Sequence, residues 1–398
     1  VASAPGDGRG HDGRDEIVEF GRGRSAGRRW IPRALLACLV VATLATIAVR
    51  ATGHQARPAG PPPAPAPPPI RVTVVGHPLL GVAAGWELFA RGPDDLLRIQ
   101  LAQGRITQTY VPALETASPD VAFVIEAHEA VIRPSDLVPG YVVPDGGQAQ
   151  PLSGMLANGG PMVPGPAGSQ ASWVTSGSPT SPALSLVTLA GHLSGPSIRF
   201  QPGGPQVPAT AVSDGHGGVL VTDDSFDVYD AGPGWDRPVP GTVIAVGRTE
   251  WLVDACDPLY LHCRDEVVAV SGGIQRILPG AASAGPYYFY SWPPTGVISP
   301  DGSIAAVAEN GRNEQLTVHL VNLRTGATRD LNVPLGLSGG DLSVGGNANE
   351  NSMVWSPDGR WLFVAATGGK LVAIDPSTGR AEGLGVNLPA VDQVAIRP

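Results

Sequence analysis

Met353-Val-Trp-Ser-Pro-Asp-Gly359 leads through Arg360 into the apolar run Trp361 to Ala366, then Leu371 to Asp375, and the chain turns again at Pro376-Ser-Thr-Gly379. Gly296-Val-Ile-Ser-Pro-Asp-Gly302 opens the same phrase earlier, with apolar runs Ile304 to Ala308 and Leu316 to Leu323 and the turn Arg324-Thr-Gly326. The copies differ by a four-residue insertion around Glu309 to Gln315. Short apolar runs between turn residues predict strands joined by hairpins. In the Ser-Pro-Asp-Gly turn, Pro presets φ, Asp can bond back to the turn backbone, and Gly accepts a positive φ. Each unit reads strand, turn, strand, hairpin, strand, turn, strand, which makes the repeat the first thing to follow along the chain.

The frame returns near the start of the globular part. Trp86, Leu96 and Gly104-Arg105 have the spacing of Trp361, Leu371 and Gly379-Arg380, which predicts strands over Glu87 to Ala90, Leu96 to Leu101 and Ile106 to Val111. Weaker copies fall at Val121 to Val143, Trp173 to Phe200, Val219 to Tyr229 and Val243 to Leu278, which brings the count to about seven. The final Gln393-Val-Ala-Ile-Arg-Pro398 echoes the strand ending at Pro357 and then has no unit of its own. A strand without a sheet leaves an open edge, so it is expected to complete the first unit.

Trp355-Ser-Pro-Asp-Gly-Arg360 followed by Leu362-Phe-Val364, with its partial twin Ser299-Pro-Asp-Gly302, resembles the repeat of the TolB-like, WD-repeat-like β-propeller proteins. The resemblance covers about 100 C-terminal residues well, residues 82–111 by spacing, and residues 112–240 poorly. It implies an all-β fold, a β-propeller of about seven four-stranded antiparallel blades around a channel, with ligands met at a face or channel mouth. It implies no reaction, because fold does not fix function.

Ala34 to Val49 is a charge-free apolar run bounded by Arg33 and Arg50, with Trp30 at the place of an interfacial anchor. Its sixteen residues span roughly 24 Å as a helix, short of the ~30 Å hydrocarbon core, so the flanking arginines must snorkel. Arg22, Arg24, Arg28, Arg29 and Arg33 precede it and only Arg50 and Arg57 follow closely, which places the N-terminal side in the cytoplasm. A cleaved signal peptide is the competing reading. Pro58 to Pro69 carries eight prolines in twelve residues and predicts a polyproline II stalk. The expected organisation is a disordered basic tail over 1–29, a transmembrane helix over 30–50, a Pro-rich linker over 51–70 and the propeller over 71–398.

Residues 51–398 carry 18 Arg and Lys against 30 Asp and Glu. That acidic balance argues against nucleic acid as a partner, since phosphate binding needs basic surface. Lys370 is the one lysine beside 25 arginines, a usage typical of GC-rich bacterial genes.

Cys256 and Cys263 flank a hairpin in the part placed outside the cytoplasm, which predicts a disulfide. With His262, Asp254 and Asp257 nearby a metal site is the alternative, but zinc draws on paired short spacings and one pair is present. Tyr287, Tyr288 and Tyr290 with Phe289 and Trp292 offer flat apolar rings with polar edges, suited to a ligand surface or to packing between blades. Asp223, Asp224, Asp227 and Asp230 alternate between two strand faces and read as a solvated edge. Gly336-Leu-Ser-Gly-Gly340 satisfies G-x-S-x-G without a following helix, and Gly8-Arg-Gly-His-Asp-Gly13 satisfies a dinucleotide fingerprint without a preceding strand; neither is assigned chemistry. The histidines lack metal spacing. No catalytic, cofactor or metal residues are assigned. The expectation is a membrane-tethered, extracytoplasmic, non-enzymatic binding or scaffold module for a protein, peptide or envelope glycan, with a channel-mouth hydrolase or lyase as the alternative.

Overall fold

A computed structural model describes residues 70–398, apart from 113–120, 134–139, 155, 157–161, 167–168, 179–180, 196, 200–209, 223–227, 233–234, 257–262, 280–295, 311–315 and 336–350. The expected tail, membrane helix and nearly all of the Pro-rich linker lie outside the described residues. Among the described residues no helix is long and apolar enough to cross a membrane.

The described chain is all-β, in six sheets. The first orders its strands Arg71–Val74, Arg105–Tyr110, Asp95–Gln100, Glu87–Arg91 and Gln393–Arg397. Four four-stranded sheets are simple antiparallel meanders starting at Ala122–Ile125, Met162–Pro164, Thr210–Ser213 and Met353–Trp355. Between the fourth sheet and the last lies an eight-stranded sheet from Thr242–Val246 to Thr328–Pro334. It consists of two antiparallel four-strand halves joined by a parallel pairing of Thr242–Val246 with Gly296–Ile298. The expectation of seven separate blades is thus corrected: five sheets stand alone as blades, and the remaining eight strands form one continuous sheet. The physical reason is that the two innermost strands approach within hydrogen-bonding reach at Gly296, where a Cβ would lie 2.4 Å from the Ile244 carbonyl oxygen.

The repeat's turn chemistry is built as its residues dictate. Asp301 accepts from Ser299 Oγ at 2.6 Å and Ser303 N–H at 3.1 Å, and Asp358 does the same with Ser356 Oγ at 2.6 Å and Arg360 N–H at 3.2 Å. Gly302 and Gly359 take φ of +70° and +69°, conformations that side chains strain to adopt.

Each second strand is buried on both faces, and pleat alternation assigns its residues to two different cores. Leu362 and Val364 pack toward the eight-stranded sheet, while Phe363 and Ala365 pack toward the first sheet. Phe89 faces the second sheet, whereas Leu88 and Ala90 face the last. Seven such apolar clusters join each four-strand unit to the next, including one within the eight-stranded sheet and one joining last to first. Near-continuous apolar runs, rather than alternating ones, follow from this two-sided burial.

The ring closes through Gln393–Arg397, which pairs antiparallel with Glu87–Arg91 in the register Glu87 to Arg397 and Arg91 to Gln393. This is the role expected of the terminal strand. Polar clasps hold both of its ends. At one, Arg397 ion-pairs with Glu87, reaches Asp145 of the second sheet at 2.8 Å, and lies 4.8 Å above the Phe89 ring. Arg98 joins the same group, bonding Glu87 at 2.6 Å and Asp145 at 3.3 Å. Burial pulls the Glu87 carboxyl up, but donors from Arg98, Arg397 and Gln100 outweigh it and hold it below the usual range. At the other end Arg91 Nε donates to Gln393 Oε1 at 2.6 Å, and Gln393 Nε2 donates to the Val121 carbonyl at 2.9 Å. Burial there pushes Asp95 up to about 6, against the pull of a hydrogen bond from Gln108.

Two outcomes follow from this packing. Phe363 is fully buried where last and first sheets meet, so Phe363→Ala is expected to cost about 3–5 kcal/mol in chemical denaturation. Asp95 binds its proton more tightly folded than unfolded, so its stabilising contribution is full below about pH 4 and is lost as pH rises through about 6. Asp95→Asn should therefore raise the melting temperature most at pH 7, with the gap closing by pH 4; a constant gap would refute the assignment.

Candidate functional site

The fourth sheet replaces the Ser-Pro-Asp-Gly turn with Ser213-Asp-Gly-His-Gly-Gly218, between its innermost strand Thr210–Ser213 and its second strand Val219–Thr222. Asp214 Oδ1 accepts the backbone N–H of His216 at 2.8 Å and of Gly218 at 2.9 Å, curling the turn around its own side chain. Gly215 takes φ +84°, and a Cβ there would lie 2.2 Å from the Gly247 carbonyl oxygen, so only glycine lets the turn rest on the eight-stranded sheet. Indoles from both neighbouring sheets clamp it: Trp173 Nε1 donates to the Gly217 carbonyl and Trp251 Nε1 to the Asp214 carbonyl, each at 2.9 Å.

This clamp buries the Asp214 carboxylate completely, with Oδ2 2.9 Å from His216 Nδ1. The His216 ring keeps 26% of its surface exposed and tilts toward Trp251 at a centroid distance of 6.4 Å. Asp230, on the third strand Val228–Gly232, is also 0% exposed. Its cross-strand partner Arg237 donates through Nε at 2.9 Å and Nη2 at 2.6 Å to Asp230 Oδ2, and also reaches the Val270 carbonyl of the next sheet. Ligand atoms of Asp214, His216 and Asp230 all lie within 4.8 Å of one another. Burial pushes Asp214 up to about 6; nearby Asp230 adds to this, while His216 and the turn N–H groups oppose it. An imidazole held on a buried carboxylate beside a second one can exchange a proton with solvent or hold a cation.

Cys256 and Cys263 form a disulfide, S–S 2.00 Å, between directly opposed positions of Glu250–Cys256 and Cys263–Ala269. Asp254 lies close enough to share a metal with the two sulfurs, but the bond between the thiols removes them as ligands. Tyr287, Tyr288, Tyr290 and Trp292 lie outside the described residues, as do Ser338 and Asp223, Asp224 and Asp227. Asp230 departs from the solvated edge expected of it. It shares a strand face with Val228, which packs against the eight-stranded sheet, and Arg237 opposite it supplies the charge that permits burial. Asp214 and His216 were missed, although a histidine two residues after the turn aspartate, at a repeat's turn position, was a signal on offer.

No family model matches the sequence, and no curated protein matches it. Similar solved structures include TolB from Acinetobacter baumannii, 12% identical over 80% of this chain and 68% of that one, TM-score 0.42. YCF48 bound to D1 peptide is 13% identical over 77% and 86%, TM-score 0.41. A puromycin-hydrolyzing peptidase of Mycobacterium tuberculosis is 17% identical over 79% of this chain and 53% of that one, TM-score 0.46. At these identities and TM-scores the likenesses carry no argument; the propeller reading rests on the sheets themselves, antiparallel meanders that follow one another and are closed by the terminal strand.

The disulfide closes a short loop, so replacing both Cys256 and Cys263 by Ser should lower stability by about 2 kcal/mol in denaturant titration. No change in midpoint would mean that the hairpin already holds the opposed strands without the bond.

Proposed function

We propose that this chain is a non-enzymatic binding or scaffold module, displayed outside the cytoplasm on a Pro-rich stalk and tethered by one membrane helix over Ala34 to Val49. The observation that carries the address is the Cys256–Cys263 disulfide, since such bonds persist in oxidising compartments and are rare in the cytosol. The acidic balance of residues 51–398 agrees with a protein, peptide or envelope-glycan ligand rather than nucleic acid. What supports binding over catalysis is that the charged groups of the first two sheets are committed to ring closure: Arg397, Glu87, Arg98 and Asp145 satisfy one another.

A hydrolase or lyase is the second reading, and His216 with Asp214, Asp230 and Arg237 is the group that would serve it. That group runs along one inter-sheet seam, with Arg237 on an outermost strand, instead of ringing the channel.

Topology is tested by applying protease and a membrane-impermeant thiol reagent to intact cells expressing the full chain. The expected result is cleavage of residues 71–398 from outside, with Cys256 and Cys263 oxidised. A protected propeller with free thiols would overturn the address. Mild crosslinking and pull-down with the full detergent-solubilised chain should then return an envelope protein or glycan. Turnover of hydrolase or lyase substrates that is lost in His216→Gln would favour the second reading.

A further inference from the structure

The geometry points to a divalent-cation site at the seam between the fourth sheet and the eight-stranded sheet, with the Asp214 and Asp230 carboxylates and the His216 imidazole as ligands. This goes beyond the binding-module reading and does not depend on it. The donor arrangement is the first argument. Each carboxylate has one oxygen fixed by protein donors: Asp214 Oδ1 by two backbone N–H groups, and Asp230 Oδ2 by the Arg237 fork. The remaining oxygens are both buried: Asp230 Oδ1 accepts no hydrogen bond, and Asp214 Oδ2 faces His216 Nδ1 at 2.9 Å. Anchoring one oxygen and presenting the other is how outer partners orient a metal-binding carboxylate.

A buried acceptor without a donor costs free energy unless something meets it. His216 Nδ1, 2.9 Å from Asp214 Oδ2, can meet only one of the two. Distance is the second argument. Bonds of about 2.0–2.2 Å around a tetrahedral ion put its ligand atoms roughly 3.4 Å apart. Atoms already within 4.8 Å of one another need only small side-chain rotations. Charge agrees: two carboxylates face one guanidinium, leaving a net negative site while the imidazole is neutral. Two oxygens and a ring nitrogen suit zinc or a similar transition ion; calcium and magnesium prefer six or more oxygens. The His216 side chain is 26% exposed, and that open edge is where the ion and a water ligand would arrive.

The test strips the full detergent-solubilised chain with chelator and titrates it with zinc chloride against a fluorescent competitor, counting bound metal by elemental analysis. One zinc per chain is expected to bind at least tenfold more tightly than to His216→Gln, whose partly exposed side chain should tolerate the change. His192→Gln should match the parent. Asp230→Asn should weaken binding similarly if it folds; if it does not, His216→Gln and X-ray absorption showing one nitrogen and two carboxylate oxygens still decide. Equal affinity in parent and His216→Gln, or no zinc retained by either, overturns the site and leaves His216 as a partner of Asp214 alone.

Discussion

Everything in this ring depends on one strand pairing between residues about 300 apart in sequence. Gln393–Arg397 must find Glu87–Arg91 before the last sheet can pack on the first. Closing so long a loop costs conformational entropy, though the cost grows only with the logarithm of length. The return is disproportionate, because pairing completes the first sheet and seals the apolar cluster containing Leu88, Phe363 and Val394. Charged residues at both strand ends fix the register. Sliding by one residue would separate Arg397 from Glu87 and Arg91 from Gln393, and would turn Val394 away from its core.

That closure explains why second strands are apolar on both faces. In a closed ring every sheet is an interior layer, so Leu362 and Phe363, adjacent in sequence, serve different cores. The same arrangement makes each seam a low-dielectric place for polar groups. Some of these groups are matched there, as Gln393 is between Arg91 and the Val121 carbonyl, while others, such as Asp230 Oδ1, are buried without a donor.

Sheets built with Ser-Pro-Asp-Gly turns were legible because the turn records its own geometry in four residues. The first sheet was legible through the spacing of Trp86, Leu96 and Gly104. Residues 112–240 were harder because their sheets turn differently, as Ser213-Asp-Gly-His-Gly-Gly218 does, and include two-residue strands such as Gln150–Pro151. The fused sheet was not legible, since its parallel pairing joins strands separated by a whole unit. The disulfide could be read because both cysteines belong to one hairpin. The burial of Asp230 could not, since it needs the neighbouring sheet and its partner Arg237, and neither shows in local alternation.

The outermost strand of the first sheet, Arg71–Val74, has another consequence. All four residues are exposed, and none belongs to the seven clusters that hold the ring. It pairs along one edge with Arg105–Tyr110 and carries Val72 and Val74 outward. Arg71–Val74 is therefore held at the rim, on the sheet that also receives the C-terminal strand. A pull applied at Arg71 would first load the four residue pairs between Arg71–Val74 and Arg105–Tyr110. This strand would peel away while the clasped inner strands stay in register, so the ring would be insulated from a pull applied at that edge.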